Sequence, residues 1–231
     1  MTDTILMDYC AKRVPIFHSL SNNELEKITK LVQHKYYKKG QLLLNEGEHS
    51  DTLYIIHSGK VKLLTLTVHG KEQILHLLTN GDFFGERNLF NKGEVNNFSA
   101  YALEDTKICL LSKKDFDEMM VANPEISIKL LKTIMDRLSH TEELAKILAT
   151  KDPEVRIAHM LIEFCEKFGT ITKSGIVIDL PITREEISNY VGLTRETISR
   201  KLSKFVEMGL LTLRGNKQII VKNQTIFKEW S

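Results

Sequence analysis

Apolar positions change their spacing twice along the chain, and the two changes mark out its organisation. Before residue 112 the apolar runs are short and separated by glycine. Seven of the twelve glycines fall here: Gly40, Gly47, Gly59, Gly70, Gly81, Gly85 and Gly93. Between and beyond them lie five strand-like runs rich in β-branched, leucine and aromatic residues: 53–57, 61–68, 73–78, 100–103 and 107–111. Short strands at this spacing with glycine turns predict a small antiparallel roll or barrel. A helix over 24–32, opened by Ser21 and Glu24, precedes it.

From Ser112 to Ala149 the period becomes helical. Asn123 and Pro124 form a helix start. Leu131, Ile134, Leu138, Thr141, Ala145 and Leu148 then recur at steps of 3, 4, 3, 4 and 3. That spacing is a heptad seam. A helix from Pro124 to Thr150 would be about 40 Å long at ~1.5 Å per residue. Either it lies on its own domain, or its narrow seam pairs with a second copy in a parallel dimer. The charged faces beside the seam favour the dimer.

Asp152 and Pro153 close this helix and open an amphipathic one over 154–168, stopped by Gly169. A short strand, 176–180, leads to Pro181. Thr183 and Glu186 then stand at capping-box spacing. Gly192 occupies a turn that needs a left-handed residue, and Thr194 caps the helix that follows. Ile187, Val191, Leu193, Ile198, Leu202 and Phe205 supply the apolar contact between the two helices. This is a helix-turn-helix pattern. Residues 210–221, with Gly215 and Asn216 at the tip, read as a hairpin wing. The expected organisation is a sensor roll over 1–118, a dimerisation helix and hinge over 119–151, and a winged helix-turn-helix over 152–231.

Charge sharpens this reading. The net formal charge is only +2, with 42% hydrophobic and 27% charged residues. Any basic surface must therefore be local. Residues 183–222 hold eight Lys or Arg against four Glu. Arg195, Glu196, Ser199 and Arg200 share one face of the second helix. These side chains suit base edges: arginine forks to guanine, a carboxylate accepts from cytosine, and serine bonds either edge. Thr183, Thr194, Thr197, Lys201, Lys204, Arg214 and Lys217 are candidate phosphate contacts. No nucleophile–base arrangement of an enzyme occurs. The stretch 81–99 lacks the clustered His and Glu metal ligands of a cupin-like enzyme. His57, His69 and His76 read as surface or core residues, and no metal site is expected. No apolar run reaches the ~20 residues of a membrane span, and residues 1–10 carry acids rather than a basic leader, so a cytoplasmic protein is expected.

Together these features resemble the CRP/FNR regulators along nearly the whole chain. The resemblance is carried by the glycine-punctuated roll, Gly81-Asp-Phe-Phe-Gly-Glu86 before Leu89-Phe90, the long helix, Val155-Arg-Ile-Ala158, and the run from Ile182 to Arg200. It implies an α+β fold with an N-terminal cyclic-nucleotide-binding-like roll, a homodimer, double-stranded DNA and RNA polymerase as partners, and transcription regulation rather than catalysis. In the FNR branch the residues matching Glu196, Ser199 and Arg200 read a TTGA-type half-site. Arg195 matches a guanine-contacting arginine of the CRP branch. The implied target is a palindrome close to TTGA-N6-TCAA.

The same comparison bears on the signal. Gly85, Glu86, Ser99 and Ala100 match the cyclic AMP receptors. Phe98, however, stands where they carry the phosphate-binding arginine, Arg87 replaces a leucine, and Thr141-Glu142 replaces a Thr-Ser pair. Cyclic nucleotide is therefore not expected. A four-cysteine iron–sulfur cluster is excluded within one chain that has three cysteines. Cys10 and Cys109 fall in the family's ligand regions, and the resemblance to FNR-like proteins of Gram-positive bacteria implies a thiol–disulfide switch between them. A regulator responding to another small ligand, or a constitutive one, is the alternative. Cys165, on an apolar helix face, is expected to be core.

Overall fold

Two four-stranded antiparallel sheets form from the glycine-punctuated stretch. The computed structural model describes residues 14, 17, 21–90, 93–150, 152–222 and 227. The strands of this part are β1 (Gln33–Tyr37), β2 (Leu42–Leu44), β3 (Thr52–Ser58), β4 (Val61–Leu66), β5 (Glu72–Leu78), β6 (Phe83–Phe84), β7 (Ser99–Ala102) and β8 (Thr106–Ser112). Their order is β1-β8-β3-β6 in one sheet and β2-β7-β4-β5 in the other. Four helices accompany them: α1 (Asn22–Leu31), α2 (Glu86–Phe90), α3 (Lys113–Ala122) and α4 (Pro124–Ala149).

The sheet centred on β8 and β3 is buried on both faces. Tyr37, Ile56, Phe84 and Ile108 turn inward to Val61, Leu63 and Ala100 of the second sheet. Leu53, Ile55, Cys109 and Leu111 turn outward to Leu25 and Ile28 of α1, Phe116 and Met119 of α3, and Ile126 and Leu130 of α4. A strand buried on both faces reads as a continuous apolar run, which is why 53–56 and 108–111 lack polar alternation. Gly85, between β6 and α2, has φ +88°, and a Cβ there would lie 2.6 Å from Thr52 O. Only glycine satisfies both the backbone and the close approach.

The C-terminal part holds α5 (Pro153–Phe168), β9 (Gly169–Thr172), β10 (Gly175–Asp179), α6 (Arg184–Val191), α7 (Arg195–Glu207), β11 (Leu211–Arg214) and β12 (Gln218–Val221). Its sheet runs β11-β12-β10-β9. Asp152 caps α5 by accepting from Glu154 N at 2.8 Å. A Cβ on Gly169 would meet Cys165 O at 2.2 Å, so glycine lets the chain pass from α5 straight into β9. α5 packs against α6, α7, β9 and β10. Ile157, Leu161 and Phe164 of α5, Ile187 of α6, and Ile198, Leu202 and Phe205 of α7 are all buried.

The chain divides into two compact units, Met1–Thr65 with Leu75–Leu138, and Leu66–Ile74 with Ser139–Ser231. The division falls inside α4. The 26-residue helix therefore contributes residues to both units, which spacing alone does not reveal.

Candidate nucleic-acid interface

The helix-turn-helix is fixed by its caps. Thr183 N donates to Glu186 Oε2 at 2.9 Å, and Glu186 N donates to Thr183 Oγ1 at 3.2 Å. This reciprocal pair starts α6. Gly192 ends α6 in the left-handed region, at φ 66° and ψ 39°. Thr194 starts α7, accepting from Thr197 N at 3.2 Å. The turn between the helices is thus three residues long, with each end satisfied.

A buried polar network sets α6 against α5. Tyr190 OH donates to Glu163 Oε2 at 2.5 Å, and Lys167 Nζ donates to Glu163 Oε1 at 2.8 Å. Burial, with the Glu163 charge second, pushes the Tyr190 hydroxyl well above its usual range, so it stays a donor. Arg156 adds a second tie. Its Nη2 donates to Thr150 O at 2.8 Å and its Nη1 to Gly192 O at 3.2 Å. One guanidinium therefore joins the end of α4 to the turn before α7.

With Ile198, Leu202 and Phe205 buried, α7 turns Arg195, Glu196, Ser199 and Arg200 to the outside. All four are exposed. No hydrogen bond or ion pair to a described residue engages their side chains. The structure thus brings together the four residues expected to read bases. An exposed helix carrying forked and acceptor groups has the shape and chemistry to enter a major groove. At the wing, Arg214 pairs in register with Gln218. Gly215 turns the tip with φ 60°, and Arg214 and Lys217 are exposed.

The expected phosphate contacts are less uniform. The hydroxyls of Thr183 and Thr194 are used as helix caps, and Thr197 Oγ1 lies 3.0 Å from Thr194 Oγ1. Lys201 and Lys204 both donate to Glu154. That carboxylate is separated from them by almost fifty residues, so no local spacing announced it. Arg184 stands at the start of α6. It is half-buried, and burial lowers its guanidinium below the usual arginine value.

In the roll, Glu86 Oε1 accepts from Arg137 Nη1 at 3.0 Å, while Arg137 Nη2 donates to Phe83 O at 2.5 Å. Ser99 Oγ accepts from Glu46 N at 3.0 Å. The Phe98 ring packs edge-on to Phe84, with centroids 6.3 Å apart. Cys109 is buried, cross-strand from His34, with Sγ 3.6 Å from His34 Nδ1. Cys10 lies outside the described residues, as does its pairing with Cys109. Cys165 is free and buried, and burial pushes its thiol up to about 11. It is a core residue, as its helix face implied. His57 and His76 are half-buried and His69 is exposed. Among the described residues no group of His, Cys, Asp and Glu is arranged to hold a metal ion.

The long helix carries two apolar stripes. Ile126 and Leu130 are buried in the roll core, and Ile134 packs on it. Ile128, Leu131, Met135 and Leu138 are exposed, at 68%, 61%, 56% and 48%. Thr141 and Ala145 are exposed as well, and the Leu148 side chain lies outside those described. The expected seam is therefore shared. Ile134 serves its own roll, and Ile128 and Met135 take its place on the open face.

These features define a winged helix-turn-helix regulator carrying a β-roll. Comparison with known proteins agrees. Residues 34–123 match the profile of the cyclic nucleotide-binding domain, and 155–229 match the Crp-like helix-turn-helix domain. A CRP-like cAMP-activated global transcriptional regulator of Mycobacterium tuberculosis is 30% identical over 220 residues, covering 95% of this chain and 98% of the relative. The fumarate and nitrate reduction regulatory protein of Salmonella typhi is 30% identical, covering 89% of this chain and 81% of the relative. The solved structure of FixK2 from Bradyrhizobium japonicum superposes with a TM-score of 0.76 at 26% identity, covering 87% and 97%. The chain belongs to the CRP/FNR family of transcription regulators. It is a DNA-binding regulator and not an enzyme.

Proposed function

We propose that the chain acts as a homodimer on a TTGA-N6-TCAA-like palindrome, recruits RNA polymerase, and works in the cytoplasm beside the DNA. The observation that carries the DNA reading is the exposed and unengaged quartet Arg195, Glu196, Ser199 and Arg200. Two such helices about 34 Å apart on a two-fold axis would meet successive major-groove half-sites. Thr183, Thr194, Thr197, Lys201, Lys204, Arg214 and Lys217 are the phosphate contacts of this reading. No helix among the described residues is long and apolar enough to cross a membrane.

The dimer reading rests on the open stripe of α4. Four large apolar side chains at steps of 3, 4 and 3, each about half exposed or more, are the knobs of a two-helix seam. The seam runs on through Thr141, Ala145 and Leu148. Leu131→Asp should convert the protein to a monomer and abolish operator binding. Sedimentation velocity beside DNA titration reads both, and a Leu131→Asp protein that stays dimeric removes the seam.

The signal is proposed to be the thiol state of Cys10 and Cys109, and not a cyclic nucleotide. Of the groups expected to hold a nucleotide, Glu86 Oε1 is taken by Arg137 and Ser99 Oγ by the Glu46 amide, while Glu86 Oε2 is buried without a hydrogen-bond partner among the described residues. Phe98 gives a phosphate no charge to bind. Without that charge the set lacks the main anchor of a cyclic nucleotide phosphate. Attack by an external dithiol on a Cys10–Cys109 bond would release two protein thiols and leave the dithiol as its own cyclic disulfide. A labelled TTGA-N6-TCAA duplex tests the scheme, with and without dithiothreitol, beside a scrambled duplex and a cyclic AMP control. Specific binding that changes with reductant and ignores cyclic AMP is expected. Specific binding indifferent to both would retire the switch and leave another ligand or constitutive action. No preference over the scrambled duplex would retire the half-site.

A further inference from the structure

One carboxylate sits among the cations that flank the reading helix. Glu154 lies in the first turn of α5, and its Oε1 accepts from Lys201 Nζ at 2.5 Å and from Lys204 Nζ at 2.7 Å. The two lysines continue the strip begun by Thr194 and Thr197, at steps of 3, 4 and 3 along α7. This strip borders the base-reading face. The side chains of Glu154 and Lys201 are 20% and 21% exposed, and that of Lys204 is 50% exposed. The hydrogen bonds from Lys201 and then Lys204 hold the Glu154 carboxyl below its usual range, so it stays charged.

The geometry points to Glu154 as an internal stand-in for a DNA phosphate, one that sets how tightly α7 holds the duplex backbone. The inference rests on the reading that this flank faces phosphates. A carboxylate offers two ammonium groups what a phosphodiester oxygen offers: one negative charge, and lone pairs for two N–H donors. A phosphate arriving at the flank therefore meets a cluster of net charge +1 instead of +2, with one donor of each lysine already used. The counterions that two free lysines would displace from DNA are in part already displaced by Glu154. Affinity for any duplex is lowered, and so is its dependence on salt. Phosphate contacts carry no sequence information, so Glu154 acts on specific and non-specific binding alike.

Salt titrations of the full chain test this, on the palindromic and the scrambled duplex. Glu154→Gln keeps the size of the side chain and removes its charge. It should bind both duplexes more tightly than wild type at low salt. Its advantage should shrink about threefold per protomer as salt rises from about 50 to 200 mM, the effect of one added phosphate contact at a slope of about −0.9. A merely structural role for Glu154 would weaken binding and leave that slope alone. Either a wild-type slope or weaker binding in Glu154→Gln, at a wild-type unfolding midpoint, overturns the inference. Glu154→Ser, which removes the charge with a smaller side chain, gives the same reading should the glutamine variant not fold. The double variant Lys201→Gln/Lys204→Gln should flatten the slope. If it does not, the phosphate reading of the flank is what fails, and the role of Glu154 falls with it.

Discussion

Arg200→Ala should cost the protein about 30-fold to about 2 × 10⁴-fold in affinity for the palindromic duplex, while its affinity for a scrambled duplex changes only severalfold. The expectation follows from the position of Arg200 on the open face of α7, where no described residue engages it. A forked arginine on guanine is worth about 1–3 kcal/mol of discrimination. A dimer applies it twice, giving roughly 2–6 kcal/mol if the half-sites are independent. Only the smaller electrostatic part is lost on scrambled DNA. Fluorescence anisotropy on both duplexes at one fixed salt concentration measures the two losses together. Equal losses would make Arg200 a phosphate contact and return the choice of bases to its neighbours.

The second large effect belongs to the core behind that face. Phe164 is fully buried, with Phe168 edge-on at 5.6 Å and Tyr190 tilted at 5.7 Å. Truncation to alanine removes both ring contacts and leaves a cavity where α5 meets α6. Such changes cost about 3–5 kcal/mol, against a total stability of only 5–15 kcal/mol for an ordinary domain. Phe164→Ala should therefore lower the urea midpoint sharply and lose DNA binding, although no DNA-facing residue has changed. Tyr190→Phe is the useful contrast. It keeps the ring and removes only the hydroxyl bonded to Glu163. The expected cost is about 1–3 kcal/mol, that of a buried acceptor left short of a partner. Circular dichroism during urea unfolding distinguishes the two. A Tyr190→Phe loss as large as that of Phe164→Ala would mean that the polar network, and not ring packing, holds α6 in place.

The parts of the protein that announce themselves in sequence are those whose chemistry is local. Caps at Thr183 and Thr194 and the left-handed turn at Gly192 are set by residues three or four apart, and all three appear as expected. The same holds for the long helix, expected over 124–150 and observed over Pro124–Ala149. β1 escaped because four of its five residues are exposed, leaving no apolar alternation to see. β9 escaped for the same reason, with Ile171 87% exposed. The heptad was visible, but not its allegiance. Ile126, Leu130 and Ile134 share helical spacing with Ile128, Leu131, Met135 and Leu138. Only the placement of the roll decides which stripe is covered. Glu154 is the clearest case of a non-local partner: nothing near Lys201 or Lys204 in the chain signals it.

Arg156 meets main-chain carbonyls at both ends, Thr150 O on one side and Gly192 O on the other. A carbonyl is present whatever side chain its residue carries. Sequence drift at 150 therefore leaves the connection intact, and at 192 the limit is set by backbone conformation and not by this bond. The arginine has no such latitude. Lysine offers one point of attachment in place of a rigid fork and cannot span two acceptors in the same way. The tolerance of the joint to mutation is thus lopsided, and nearly all of its fragility is concentrated in a single codon.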